Sequence, residues 1–382
     1  MIGSRIGIAA GAVLLGLGTQ VQAEPLASGM EAESRPAAAT AAQLLADLDR
    51  QAPRWLREYD VPAAAIAYIA DGDIAWTAVY GEQSPGVPAT PETLFNIASL
   101  TKPITGETIL RLASAGEISL DESMSDHWVD PDVADNPWHV QFTPRLALSH
   151  RLGFPTNWRY ETDGVLRIDY VPGSRSQYSG EGYDYVARFA ERKLGRPFEE
   201  LVRETVFAPS GMSRTAFTSR PWFEGRVAMV QGPDGSRRLP DVSETWSAAD
   251  NLHTTIGDYA RFVLSAMTAR GSTPELALAR QRIEENQVAQ ACPPERIAPD
   301  LCPERVGFGL GWHVFDNGEE TVMMHTGGDW GERALAFFVP ERRLGVVVFT
   351  SGANGLKIIR DSVALLYRNP ELNALLAAQA AN

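Results

Sequence analysis

The chain has 382 residues, 44% of them hydrophobic and 21% charged, with a formal net charge of −14. That is an ordinary globular composition, and the chain is long enough for a large core divided into lobes. The acidic balance excludes a nucleic-acid partner, whose phosphates it would repel.

The first residues read as a secretory signal: Arg5 as the positive start, Ile6–Gly18 as the apolar stretch, and Val21-Gln-Ala23 as a small-residue cleavage site. The run is shorter than the ~20 residues a bilayer span needs, and no later segment is apolar for long enough. The expectation is therefore cleavage of residues 1–23 and a periplasmic or secreted protein with no integral membrane span. Residues 24–40, rich in Ala, Ser, Glu and Pro, read as a disordered linker.

The folded domain is expected over residues 41–368, with residues 369–382 as a C-terminal tail. Leu44, Leu45, Leu48 and Trp55 recur at helical spacing from Ala41 and predict an amphipathic helix ending before Pro62. Two apolar runs, Ala63–Ala70 and Ile74–Tyr80, flank Asp71-Gly-Asp73 and predict a hairpin. Roughly 103–270 is mostly helical pattern. Helices are predicted from near Ser99 to before Gly116 and over Pro144–His150, Gly182–Leu194, Phe198–Phe207 and Tyr259–Met267, the last capped by Thr255. Strands return at Gly309–Phe315, Thr321–His325, Ala334–Val339 and Gly345–Thr350, before a last helix Gly355–Tyr367. The pattern predicts an α+β fold, with one antiparallel sheet completed by both chain ends and a helical region inserted between them.

Cys292 and Cys302 are the two cysteines and lie in a Pro-rich stretch with no neighbouring His. In an oxidising compartment such a pair reads as a loop-closing disulfide. No metal site and no cofactor are expected: the six histidines are scattered and no His-Glu-x-x-His occurs.

The chemistry centres on Phe95-Asn-Ile-Ala-Ser99-Leu-Thr-Lys102. Ser and Lys three apart on a helix share a face, with Cβ atoms about 5–6 Å apart. The chain has three Lys (102, 193 and 357) among 34 basic residues, so Arg is its ordinary cation. A scarce Lys leading into an apolar helix beside a Ser suggests a group that must give up its proton, which Arg cannot do. Tyr178, in Gln177-Tyr-Ser-Gly180, precedes the next helix and can shuttle a proton. His325-Thr326-Gly327-Gly328 ends a late strand, where glycines allow close approach of a substrate backbone.

In this order the three elements resemble the active-site triplet of serine β-lactamases and penicillin-binding proteins, most closely the class C β-lactamase branch, which also holds DD-peptidases and esterases. The resemblance extends to Val61-Pro-Ala-Ala-Ala, Leu148-Ser-His-Arg-Leu-Gly-Phe-Pro155, Ala208-Pro-Ser-Gly-Met212 and Gly307-Phe-Gly-Leu-Gly-Trp312, and covers about Ala41–Arg368. It implies a five-stranded antiparallel sheet flanked by helices, with the site in the crevice beside a helical region. It further implies that Ser99 attacks an acyl carbon, that Lys102 and Tyr178 move protons, and that the N–H groups of Ser99 and Gly328 form an oxyanion hole for a small-molecule or peptide acyl substrate. Thr326, Gly327 and Gly180 would line the substrate. His325 stands where many relatives carry Lys; partly charged near pH 7, it would hold a substrate carboxylate more weakly.

Gly180 departs from the family, which commonly has an Asn there to bind the substrate's amide. Arg151, where relatives often have Thr, is a second departure with no sequence account. Both active-site changes, Gly180 and His325, favour simple esters over amides and β-lactams, and Asn at position 180 is expected to restore amide preference. An α/β-hydrolase is disfavoured, because no Gly-x-Ser-x-Gly occurs and strands do not alternate with helices. The alternative is a non-catalytic penicillin-binding-like module that binds cell-wall peptide or a protein partner. Gly180 favours that reading; Ser99, Lys102 and Tyr178 oppose it.

Overall fold

The computed structural model describes residues 39–380, so the expected signal and nearly all of the expected linker lie outside the described residues. Thr40 opens the first helix, Ala41–Tyr59, with a reciprocal cap to Gln43. The hairpin follows as β1 (Ala63–Ala70) and β2 (Asp73–Ser84), turned by Asp71 and Gly72, both at positive φ. β3 (Val87–Pro88) pairs back onto β2, and β4 (Phe95–Asn96) leads into a 3₁₀ turn, Ala98–Thr101, and the helix Lys102–Ser114.

In the helical region lie the helices Pro144–Leu148, Glu181–Leu194 and Ile256–Met267, the small ladder β5 (Val230–Gln231) with β6 (Arg237–Arg238), and β7 (His253–Thr254), which pairs with β4. The last helix of this set starts three residues before the predicted Tyr259. Thr255 is its N-cap, accepting from the Asp258 N–H at 3.2 Å.

β8 (Arg305–Phe308), β9 (His313–Asp316), β10 (Thr321–Gly328), β11 (Arg333–Val339) and β12 (Leu344–Thr350) complete an antiparallel sheet in the order β3-β2-β1-β12-β11-β10-β9-β8. The expected five strands are thus the middle of an eight-stranded sheet. The single strand expected over Gly309–Phe315 is instead a turn and a second strand. Gly309 N–H donates to the Trp312 carbonyl at 2.8 Å, and Gly311, at φ 88°, lies against Gly106 Cα of the facing helix. Alternating Gly and apolar residues mimicked a strand where glycines were needed for close approach.

Both faces of the sheet are covered, which is why β1 and β12 read as continuous apolar runs. Ala63, Ala65, Ala67, Val347, Phe349 and Met323 enter the core under Ile256–Met267, while Ile66, Tyr68, Val346, Val348 and Met324 enter the core under the terminal helices. The residues set apart as a tail include a further helix, Pro370–Ala380, whose Leu372, Leu375 and Leu376 are buried in that second core. Cys292 and Cys302 form the disulfide, with Cα atoms 6.1 Å apart, and the loop it closes packs beside the same helix.

Candidate active site

Ser99 lies in the 3₁₀ turn between β4 and the Lys102 helix and is partly exposed. Ala98 immediately before it has φ 46°, a left-handed conformation that costs a non-Gly residue roughly 1–2 kcal/mol. Its neighbours hold it there. Asn96 Oδ1 accepts from the Ala98 N–H at 3.0 Å, and Thr101 Oγ1 donates to the Ala98 carbonyl at 2.7 Å. Asn96 is fixed in turn by Nδ2 donating to the buried Glu332 carboxylate at 3.2 Å.

Lys102 is 0% exposed, and its Nζ donates to Ser99 Oγ and to the Ala249 carbonyl, each at 2.9 Å. The segment carrying Ala249 is anchored from the helix after Tyr178. Asp184 accepts from the Ala248 N–H at 2.6 Å and from Ser247 Oγ at 3.2 Å. Burial pushes the Asp184 carboxyl up to about 7, against these hydrogen bonds.

Nζ also sits 4.7 Å from the centre of the Tyr178 ring. What holds that ring was not readable in the sequence. His150, at φ 57°, accepts the Gln177 N–H on its carbonyl at 2.9 Å and the Ser179 N–H on Nδ1 at 3.0 Å, gripping both neighbours of Tyr178. Its ring packs 4.7 Å from that of Tyr178. The stretch Leu148-Ser-His150 carried the only sequence signal, as a family-like string without a role. Arg151, unexplained by sequence, acts as a structural tie. Its guanidinium donates to the Gly173 carbonyl and approaches Glu284 at 3.9 Å, which fastens the loop that leads to Tyr178.

On β10, Met323, His325 and Gly327 share the face toward the helical region. A Cβ on Gly327 would lie 2.0 Å from the Ile97 carbonyl oxygen and 3.0 Å from Leu100 N, so only glycine lets the strand meet the Ser99 turn. β9 pairs with β10 only as far as Met324, so His325–Gly328 pair with β11 on one side and leave the other backbone edge unpaired within the sheet. Such an edge can take an extended substrate backbone. Gly328 follows on the opposite face and is exposed, and Thr326 is half-buried.

His325 corrects the sequence reading of its charge. It is 2% exposed, and burial, then the fields of His313 and Lys102, hold its pKa well below the usual 6.5. Nδ1 lies 2.7 Å from the Thr326 carbonyl, which can only accept, so Nδ1 carries the proton. Nε2 keeps its lone pair and has no hydrogen-bond partner among the described residues. A neutral imidazole presenting a lone pair has no attraction for a carboxylate. His313, 5.3 Å from His325 between ring centres, is lowered to about 4 by burial and by Lys102, and His150 is lowered for the same reasons.

Gly180 stands at the N-terminus of Glu181–Leu194, and a Cβ there would lie 2.2 Å from Trp158 Cζ2. Trp158 stacks on Tyr160 at 5.6 Å and lines a cavity of about 510 Å³ with Asp184, Asp250 and Asp329. A second cavity, of about 450 Å³, is lined by Tyr178 and His313 among others. The arrangement brings together a hydroxyl, an amine, a phenol and a glycine-lined strand edge, the groups that acyl transfer by covalent catalysis requires.

The chain is 24% identical over 332 residues to penicillin-binding protein 4 of Amycolatopsis lactamdurans, covering 80% of this chain and 84% of that one. It is 25% identical over 324 residues to the D-alanyl-D-alanine-carboxypeptidase/endopeptidase AmpH of Escherichia coli, covering 77% and 81%. The octameric penicillin-binding protein homologue from Pyrococcus abyssi superposes with a TM-score of 0.71 at 21% identity, over 86% of this chain and 78% of that one, and so shares the fold. These relatives support hydrolase chemistry. With the Beta-lactamase family model matching residues 33–366, the chain belongs to the beta-lactamase family.

Proposed function

We propose that the protein is an exported serine hydrolase that forms an acyl-enzyme on Ser99 and acts on esters in preference to cell-wall-type D-amino-acid peptides or β-lactams. The observation that carries the reading is Lys102 Nζ, buried and 2.9 Å from Ser99 Oγ. As Oγ attacks the acyl carbon, the hydroxyl proton passes to Nζ, a step open to the neutral form of the amine. The Ser99 and Gly328 N–H groups stabilise the developing oxyanion, a contribution of ~10²–10³ in rate per donor. The bond to the leaving oxygen breaks as Tyr178 delivers a proton to it. The alcohol departs with that proton, leaving Tyr178 as phenolate and Lys102 protonated; water then attacks the acyl carbon, giving a proton to Tyr178, and Lys102 returns its proton to Ser99 Oγ as the acid is released.

Ester preference rests on two features: Trp158 fills the space of an amide-binding side chain at 180, and neutral His325 offers no cation to a carboxylate. The second reading, a binding module without turnover, drew on Gly180 as a sign of a decayed site. Its support weakens because Trp158 accounts for Gly180.

Intact-protein mass spectrometry after a fluorophosphonate and, separately, a penicillin tests the proposal. A single fluorophosphonate adduct on Ser99, absent in Ser99→Ala, is expected. No adduct at Ser99, with the protein folded, overturns it in favour of the binding module.

A further inference from the structure

We infer that the cavity beyond Tyr178 is a subsite for the leaving alcohol, and that it selects an uncharged alkyl or aryl group. The inference rests on the hydrolase reading for Tyr178 as proton donor, but the cavity's ligand class stands on its own chemistry.

The cavity of about 450 Å³ begins at Tyr178 and His313 and runs between β8, the loop closed by Cys292–Cys302, and the last helix Pro370–Ala380. Phe308, Ile297 and Leu375 are buried apolar members of its lining. Among the described residues, the exposed Arg296 is the one charged side chain that lines it, and no carboxylate does. The Trp158 cavity contrasts with it, being lined by Asp184, Asp250 and Asp329 among other acids.

The inner end of the cavity is uncharged for a physical reason. His313 is held near 4 by burial and Lys102, so at neutral pH it presents a neutral ring, and the adjoining His325 is neutral as well. The buried Nε2 atoms of both rings lack a hydrogen-bond partner among the described residues. A largely apolar space, with Gln287, Gln290 and Gln379 as uncharged polar members of its lining and neutral imidazoles beside Tyr178, suits an alkyl or aryl group whose oxygen remains at Tyr178. A leaving oxygen that takes the Tyr178 proton must lie against Tyr178, so the carbon chain attached to it has this cavity next in line.

Two measurements decide it. In Ser99→Ala protein, calorimetric binding of heptyl acetate is compared with methyl acetate. Each methylene moved out of water is worth about fourfold, so at least tenfold tighter binding of heptyl acetate is expected. Ala291→Trp and Gln379→Trp narrow the cavity from opposite walls, and each should reduce that ratio at least fivefold with an unchanged melting temperature. Equal binding of the two esters, or a ratio insensitive to both variants, overturns the subsite whether or not Ser99 is a nucleophile.

In the active protein, heptyl acetate is compared with its isomer methyl octanoate, which carries the same carbons on the acyl side. A kcat/KM at least tenfold higher for heptyl acetate is expected, and the reverse order overturns the leaving-group assignment. If neither ester is turned over, the hydrolase reading and the leaving-group role fail together, while the binding measurement still decides the cavity.

Discussion

The Trp158 indole occupies the volume that any side chain at position 180 would need, with Cζ2 and Cη2 at 2.2 and 2.4 Å from a Cβ built on Gly180. The family's Asn therefore cannot simply be restored. Gly180→Asn alone is expected to overpack the start of the Glu181–Leu194 helix, at a cost of about 1–3 kcal/mol, and to lower ester and amide turnover together. Trp158→Ala with Gly180→Asn supplies the missing space, and this double variant should raise the amide-to-ester ratio of kcat/KM at least tenfold over wild type. A single Gly180→Asn variant of wild-type stability that already favours amides would show that Trp158 does not control the position.

This pair marks the limit of what was legible in the sequence. Ser99, Lys102 and Tyr178 were readable because each sits at an element boundary in a spaced motif, and the structure brings their side chains together. The sheet was readable from strands whose two faces are both buried and hence apolar throughout. Trp158 was not, because it reaches Gly180 from a loop with no periodicity. The grip of His150 depends on a left-handed backbone that no residue type announces. His325 was placed correctly on its strand, but its charge is set by burial and by His313, which arrives from another strand.

Lys102→Arg keeps a positive charge three residues after Ser99 but supplies a group that does not give up its proton. The Lys102 side chain is also completely buried, with Nζ held between Ser99 Oγ and the Ala249 carbonyl, so a bulkier guanidinium would have to displace its neighbours. The variant is expected to retain less than a tenth of wild-type kcat/KM on a p-nitrophenyl ester, and Ser99→Ala to lose all turnover. Retention of more than a tenth by Lys102→Arg would remove Lys102 as the base.

Gly327→Ala tests the contact between β10 and the Ser99 turn. The added methyl would lie 2.0 Å from the Ile97 carbonyl oxygen, a backbone atom that cannot rotate aside. Either the strand or the turn must move, which costs about 1–3 kcal/mol and shifts Ser99 relative to β10. Urea unfolding should show that loss, and fluorophosphonate labelling of Ser99 should slow at least tenfold. Wild-type stability and labelling rate in this variant would show that the close approach is not needed.

Acid should weaken the fold through its buried imidazoles. An unfolded chain protonates His at about 6.5, whereas folded His313 resists until about 4, so the stabilisation from its neutral form is complete above 6.5 and disappears as the pH falls through 4. His253, also held at about 4 by burial, adds the same sign, and so do His150 and His325. Asp184 opposes them. Its folded pKa of about 7 lies above the unfolded carboxylate value, so its contribution is full below about 4 and is lost as the pH rises through 7. Four imidazoles against Asp184 and the smaller upward shifts of Asp250 and Glu332 leave a net loss of stability between pH 6 and pH 4.5. Each imidazole contributes a slope of about 1.4 kcal/mol per pH unit in this window. His313→Gln should flatten the urea-unfolding free energy against pH by about one proton, and Asp184→Asn should steepen it. An unchanged slope in His313→Gln would mean that folding leaves the His313 pKa at its unfolded value, and the lowered pKa that keeps the inner wall of the alcohol cavity uncharged would be lost.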